Sequence, residues 1–257
     1  MARPGCSSPT RAGCLLALAV VLAASVAGAE PAASRVIAAP TAWVPRAGAV
    51  NASLGIDHRG GALAVAGIGL GDLAHLELGL DGDVRLGDGS PLRLPRAGFR
   101  LGARPDAWFR GQPAVALTVR TSFAAPSTAA AADVTVADAT VSASRRVREV
   151  RLHAGLTAID ARYRIGGELI RLGPGRPRLR PTAGLEWTPP IYPNTTLVLD
   201  LGWAPDLAPT PTLRYLADLG ARYRVYEFLT VELIVRHRQG EDLAATTVAT
   251  RLNVALF

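Results

Sequence analysis

Arginine is the most frequent charged residue in this sequence, and it often stands at alternate positions. All 28 basic residues are arginine. A guanidinium stays charged at any working pH and presents a planar fork of donors to carboxylate, sulfate or phosphate. Rings of arginine around a pore favour anions. If the chain forms a barrel, the pattern predicts an anion-attracting lumen. The alternatives are arginine–acid ladders that fill the lumen and, for some arginines, contacts with anionic lipopolysaccharide outside it. The predicted lumen-lining residues are Arg96, Arg100, Arg120, Arg151, Arg214, Arg222, Arg224, Arg236, Glu186, Asp200, Asp218 and Glu232.

Histidine, serine and acidic side chains offer little for catalysis. His75 and Glu77 lie two residues apart, so in a strand they share a face, as an acid–base pair requires. Asp57 and His58 are adjacent and point in opposite directions. No strand places serine and histidine together on its apolar face. We predict that the protein is not an enzyme and has no catalytic residue.

Cofactor, metal and nucleic-acid sites also lack sequence support. The two cysteines, Cys6 and Cys14, lie in the first fourteen residues. No zinc spacing, phosphate-binding loop or dinucleotide glycine pattern is present. The arginines alternate with apolar residues, and no basic cluster with stacking aromatics is present. We predict no cofactor, no metal and no nucleic-acid partner.

The first 29 residues have the three-part pattern of a secretory signal peptide. Arg3 and Arg11 supply its positive region, and the uncharged apolar stretch 15–27 follows. Small residues at Ala27 and Ala29 match the specificity of signal peptidase, so we predict cleavage after Ala29. Residues 30–46 contain three prolines and are predicted to form a periplasmic lead-in. Residues 47–257 are predicted to form one β-barrel domain.

The remainder of the sequence alternates with period two, which is typical of β-strands. In residues 212–225 the odd positions from Leu213 onward are apolar, and the even positions are mostly charged residues or glycine. Two interpretations fit this alternation. A soluble barrel or sandwich turns its apolar face inward, whereas an outer-membrane barrel turns it toward lipid.

Strand length and aromatic placement favour the membrane barrel. The predicted strands run to about 10–14 residues, against the usual 5–6 of soluble proteins. Trp187, Trp203 and Tyr223 fall near strand ends, where aromatic girdles lie. Twelve strands are predicted, with ten as the alternative number. They are 47–57, 61–70, 73–82, 92–104, 113–124, 133–144, 149–160, 177–188, 195–204, 211–225, 228–239 and 244–257.

The last strand resembles the C-terminal strand of bacterial outer-membrane β-barrels. Val248, Leu252, Val254 and Leu256 are in phase, and Phe257 is a terminal aromatic one residue out of that phase. The resemblance implies an all-β, antiparallel, up-and-down transmembrane barrel in the outer membrane of a Gram-negative bacterium. It also implies that Phe257 is an assembly signal read by the barrel assembly machinery. The expected partners are outer-membrane lipid and lipopolysaccharide, and the expected state is a monomer.

These expectations combine into one functional hypothesis and two alternatives. Leu199, Leu219, Leu233 and Val254 should face lipid, with the charged residues inside. The hypothesis is a narrow passive channel for small anionic solutes. One alternative is a closed structural or ligand-binding barrel that does not conduct. The other is a soluble periplasmic β-protein, in which the two faces are inverted.

Overall fold

The computed structural model describes residues 35–86, 91–123, 125–127, 132–172, 178–207 and 210–256. These residues form fourteen strands and one short 3-10 helix, Leu243–Ala245. The strands are β1 Val50–Asp57, β2 Ala62–Leu70, β3 Ala74–Asp81, β4 Leu94–Ala103, β5 Ala114–Ser122, β6 Ala125–Ser127, β7 Ala132–Val147, β8 Val150–Ile165, β9 Glu168–Arg171, β10 Arg178–Trp187, β11 Thr195–Asp206, β12 Thr212–Tyr226, β13 Leu229–Arg238 and β14 Thr247–Leu256.

Twelve of these strands close into one antiparallel barrel. Consecutive long strands pair as neighbours, and β1 pairs with β14 from Val50↔Leu256 to Asp57↔Ala249. The remaining strands, β6 and β9, are short hairpin partners of β7 and β8. The predicted up-and-down barrel of twelve strands is confirmed, and the ten-strand alternative is wrong. We call the end where β1 begins and β14 ends the base, and the opposite end the top.

The two faces of the barrel wall have opposite chemistry. Leu199 and Leu219 are more than half exposed on the outer surface, whereas Asp200 and Asp218 on the same strands are buried inside. An outward-facing aliphatic band with enclosed charges is the arrangement of a membrane barrel. The soluble alternative, which requires the aliphatic side chains inside, is therefore wrong. In the described part of the chain, no helix is long and apolar enough to cross a bilayer.

Two strands extend beyond their predicted ends at the top. β7 and β8 reach Ala132 and Ile165, and they stay paired along sixteen residues each. The strands predicted from the sequence leave 125–132 and 161–176 as connections, and the second is long enough to form a strand extension or hairpin. The structure forms that hairpin with β9, because Gly166 and Gly167 adopt the positive φ that its tight turn requires.

Part of the barrel interior at the top is apolar. Side chains of β4, β7, β8 and β12 pack there against residues of three connections, those between β3 and β4, between β9 and β10 and between β11 and β12. The fully buried members of this top cluster are Val84, Leu94, Val134, Val136, Ile159, Ala161, Tyr163, Leu172, Leu207 and Leu213. The sequence analysis did not predict this cluster, because its members are inward residues at strand ends and scattered loop residues.

The outward face gives a stability prediction. Leu219 is 59% exposed near the middle of β12. We expect Leu219→Arg to lower the free energy of unfolding in lipid bilayers by about 2–4 kcal/mol, because a charge at the bilayer midplane loses hydration. Denaturant titration of the barrel in liposomes measures this change. Leu243→Arg, in the exposed loop between β13 and β14, is the control and should have little effect. Equal effects of the two changes would contradict the membrane orientation.

Candidate functional site: the filled lumen

A chain segment that belongs to no strand fills the lower and middle part of the barrel. Residues 35–46, which we call the N-terminal segment, are mostly buried, with Val36 and Ile37 at 0% and 2% exposed. Their partners lie on strands all around the wall. The sequence predicted that residues 30–46 form a periplasmic lead-in. The structure instead places residues 35–46 inside the barrel. The segment has no alternation to reveal its position, and its small apolar residues and prolines fit a narrow space.

Glycines on the inner wall make room for the N-terminal segment. Gly184, Gly202 and Gly220 face inward on β10, β11 and β12. A Cβ atom added at these glycines would lie 2.7 Å from Val36 Cγ2, 3.0 Å from Ala38 Cβ and 3.2 Å from Ile37 Cδ1, respectively. The N-terminal segment therefore lies in a groove of the inner wall, and this groove exists because these three positions have no side chain. These glycines stand on the charged face of the alternating sequence, so they were a signal that sequence reasoning could have used.

Asp200 binds the backbone of the N-terminal segment. The segment turns tightly there, since Val36 N–H donates to the carbonyl of Ala39. The Oδ2 atom of Asp200 accepts from three successive N–H groups, of Ile37, Ala38 and Ala39, at 2.7, 2.7 and 3.0 Å. Three N–H groups that would otherwise be buried without a partner are thereby satisfied on one oxygen atom. Asp200 therefore fixes the turn at the centre of the barrel.

Three arginines of the wall donate to backbone carbonyls of the same segment. Their acceptors are spread along it, so the segment is held over its length. Arg100 Nη1 donates to Trp43 O at 2.9 Å, Arg222 Nη2 to Val36 O at 3.1 Å and Arg251 Nη2 to Ile37 O at 3.2 Å. On β7, Ser144 Oγ accepts from Ala42 N–H at 2.8 Å. The wall thus contacts the segment mainly through its peptide groups.

Charged side chains of the wall are paired across neighbouring strands. On one side of the lumen, Arg120 is opposite Asp138 and donates to it at 2.9 Å. Arg96 forms ion pairs with both Asp138 and Asp81. Arg35 of the N-terminal segment joins this group through Glu77, at 3.3 Å. An enclosed charge is stable only when it is paired and hydrogen-bonded.

A second ladder crosses the other side of the lumen. Glu186 pairs with Arg151 at 3.2 Å and with Arg222 at 3.0 Å. Arg222 also pairs with Glu232, its directly opposite residue on β13. Glu232 in turn lies opposite Arg251 on β14, at 3.4 Å. These contacts form the arginine–acid ladder that the sequence analysis offered as one of its interpretations.

The remaining predicted site residues lie nearer the ends of the barrel. Arg214 pairs with Asp206 at 2.9 Å near the top, and exposed Arg224 donates to the carbonyl of Pro193 at the base. Trp187 and Tyr223 lie at the base and are 41% and 53% exposed.

Trp203 lies near the top, and Arg180 stacks on its ring at 5.1 Å. Its Nε1 donates to the carbonyl of Pro181 at 2.7 Å. Phe257, the predicted assembly signal, lies outside the described residues.

Residues 83–85, which follow β3, fold into the top of the barrel. Asp83 forms an ion pair with Arg236, which also binds Asp218 at 2.6 Å. Arg85 pairs with Glu241 at 3.2 Å, and Val84 enters the top cluster. Between residues 83–85 and the N-terminal segment lies a cavity of only about 50 Å³. A polar cavity of this size is large enough to hold ordered water.

Histidines take part in this packing. His75, which was considered with Glu77 as an acid–base pair, contacts Asn51 Oδ1 through Nε2 at 2.9 Å, while Glu77 is paired with Arg35. Ser144 Oγ and His153 Nδ1 lie 2.8 Å apart on neighbouring strands. Sequence reasoning missed this pair because the strand register was unknown. Ala42 covers the hydroxyl, and among the described residues His153 Nε2 has no hydrogen-bond partner that could orient the ring.

Metal binding was also considered. No group of three or more metal-ligating side chains occurs among the residues that the structure describes. The acidic residues of the lumen are engaged by arginines and by backbone N–H groups instead.

A disulfide can test whether the N-terminal segment lies in the lumen. A Cβ added at Gly184 would lie 3.4 Å from Val36 Cβ, close to the roughly 3.5–4.5 Å of disulfides. We expect Val36→Cys/Gly184→Cys to cross-link on mild oxidation, as read by mass spectrometry of proteolytic fragments. Val36→Cys/Gly55→Cys is the control, because the atoms around Gly55 belong to β14. Cross-linking in the control but not in the test pair would contradict the observed path.

The anchor of the segment at the base predicts a pH dependence. The backbone N–H of Ala47 donates to Asp72 at 2.8 Å, and this bond, together with the nearby Arg104, lowers the pKa of Asp72. A lowered pKa stabilises the folded state above the ordinary aspartate value of about 3.9, and this stabilisation is lost as pH falls through the lowered pKa. We expect Asp72→Asn to reduce stability at neutral pH and to have no effect in strong acid. Unfolding titrations from neutral to acid pH measure this, with Asp242→Asn in an exposed loop as control.

The fold can now be compared with known proteins. No family model and no curated protein sequence matches the chain. Among solved structures, the NanC porin aligns with a TM-score of 0.50 and 10% identity, over 81% of this chain and 98% of that one. The KdgM porin aligns with a TM-score of 0.46 and 7% identity, over 80% of this chain and 98% of that one. Outer membrane phospholipase A from Escherichia coli aligns with a TM-score of 0.43 and 10% identity, over 84% of this chain and 98% of that one. The chain is a β-barrel of the bacterial outer-membrane class, similar in fold to the NanC porin.

Proposed function

We propose that the protein is a passive channel of the outer membrane whose lumen is closed in this structure by its own N-terminal segment and by the loop between β3 and β4. The observation that carries the proposal is that the lower and middle lumen is occupied by residues 35–46, which belong to no strand. A wall that surrounds a whole peptide chain encloses a continuous path once that chain leaves. The similarity of fold to a porin supports the same proposal.

The proposed solutes are small anions. Arg100, Arg222 and Arg251 donate to carbonyls of the N-terminal segment. When the segment leaves, these guanidinium groups lose neutral acceptors, and carboxylate or phosphate oxygens can replace them. The paired acids weaken the preference, so we expect moderate anion selectivity. No catalytic step forms part of the proposal.

The proposed setting follows from the sequence and the outward face. The signal peptide 1–29 directs export, and the mature barrel inserts as a monomer in a Gram-negative outer membrane with its base toward the periplasm. Outer-membrane lipid and lipopolysaccharide surround the apolar band, and Phe257 serves the assembly machinery. Arg180 stands beside Trp203 at the top, where an anionic headgroup is within reach.

Planar-bilayer recording tests the channel. We expect rare or no steps from the full chain, and regular steps when deletion of 35–46 is combined with Asp83→Ala/Arg85→Ala, which removes two ion pairs of the top loop. The reversal potential in a salt gradient should favour anions. Arg222→Gln or Arg251→Gln should reduce that preference, whereas Arg224→Gln at the base should leave it unchanged.

A closed barrel is the second candidate, and the top cluster is the observation that favours it. Ten fully packed apolar side chains inside a barrel wall stabilise closure independently of the N-terminal segment. If the combined variant shows the heat-modifiable gel mobility of a folded barrel but no conductance, the channel proposal fails and the closed barrel replaces it.

A further inference from the structure

We propose that the barrel lumen is a peptide-binding site, with the N-terminal segment as its built-in occupant and short peptides of small aliphatic residues as its ligand class. The inference rests on the proposed function in one respect, that the N-terminal segment can leave. It goes further by assigning a ligand chemistry to the vacated wall.

The contacts recognise peptide groups rather than particular side chains. Asp200 accepts three successive N–H groups, and Ser144 accepts a fourth, from Ala42. In the opposite sense, three arginines donate to three backbone carbonyls. Donors and acceptors thus alternate around one chain, as the amide groups of a peptide require. A simple anion would use the arginines but would leave the buried Asp200 carboxylate without donors.

The shape of the groove limits the side chains that fit. The inward glycines Gly184, Gly202 and Gly220 pack against Val36, Ala38 and Ile37. At Gly102, an added Cβ would lie 2.8 Å from Val44 Cγ2. The segment side chains that pack against these four glycines are those of Val36, Ile37, Ala38 and Val44. The groove therefore selects for small aliphatic residues around a tight turn.

Binding in trans tests the site without any conductance measurement. The protein is the full chain with residues 35–46 deleted, folded in detergent, and the probe is a capped, fluorescein-labelled peptide of sequence Arg-Val-Ile-Ala-Ala-Pro-Thr-Ala-Trp-Val-Pro-Arg, which is residues 35–46. We expect saturable binding by fluorescence anisotropy. The full chain should bind less, and oxidised Val36→Cys/Gly184→Cys should not bind.

Variants of the wall and the peptide identify what is recognised. Asp200→Ala should weaken binding about ten-fold or more, as expected for loss of charge-assisted hydrogen bonds. N-methylation of the peptide at Ala38, which removes one N–H donor, should also weaken it. Asp242→Ala is the matched control, because Asp242 is exposed in the loop between β13 and β14, away from the lumen.

Gly202→Val separates folding from binding. The three atoms nearest to an added Cβ at Gly202 all belong to residues 38 and 39. In the deletion variant the added side chain therefore meets empty space, so the barrel should fold normally and lose peptide affinity. Ala154→Val, on the outward face of β8, should keep it.

The outcomes separate this inference from the channel proposal. Saturable binding that is lost with Asp200→Ala and Gly202→Val supports the peptide site, even if the bilayer shows no steps. If the folded deletion variant conducts but does not bind the peptide, the channel stands and the peptide site is overturned. Equal affinity of the Asp200→Ala variant and its parent would also overturn the peptide site.

Discussion

The pairing of β1 with β14 is the constraint on which the rest of the structure depends. Hydrocarbon offers no hydrogen bonds to backbone groups, so a sheet can stay in a bilayer only if its first and last strands satisfy each other. Here eight residue pairs close the ring. Once the ring is closed, alternate side chains of every strand point either outward to lipid or inward to the lumen. The aliphatic residues face lipid and the charged residues face the lumen.

Enclosure then determines the chemistry of the lumen. Charges that would be solvated on an open surface are brought together in a narrow space, so they pair across neighbouring strands, as Arg120 does with Asp138 and Arg222 with Glu232. Side chains alone do not fill a ring of twelve strands. The N-terminal segment occupies the remaining space, and its amide groups hydrogen-bond to Asp200 and Arg222. Closure, charge pairing and the internal segment are therefore consequences of one geometry.

Sequence patterns predicted the wall well because alternation is a local property. β10, for example, spans Arg178–Trp187 where 177–188 was predicted, and β13 spans Leu229–Arg238 where 228–239 was predicted. The same patterns could not predict the contents of the lumen. The path of residues 35–46, the partner of Asp200 and the Ser144–His153 contact depend on register and on residues far apart in the chain. Inward glycines such as Gly202 were the one local trace of the segment.

The separation in sequence between the N-terminal segment and its partners has a consequence for biogenesis. Asp200 lies 161 to 163 residues beyond the N–H groups that it accepts, and Arg251 lies 214 residues beyond Ile37. In the export proposed above, the segment would emerge first, yet its last contact requires the final strand. Contacts of such high contact order form slowly, because the intervening loop must close first. A chain truncated before β14 would therefore lack both the β1–β14 pairing and the Arg251 contact with the segment. The segment would then be accessible to periplasmic proteases. Completed barrels would hide it, so that proteolysis could distinguish finished molecules from unfinished ones.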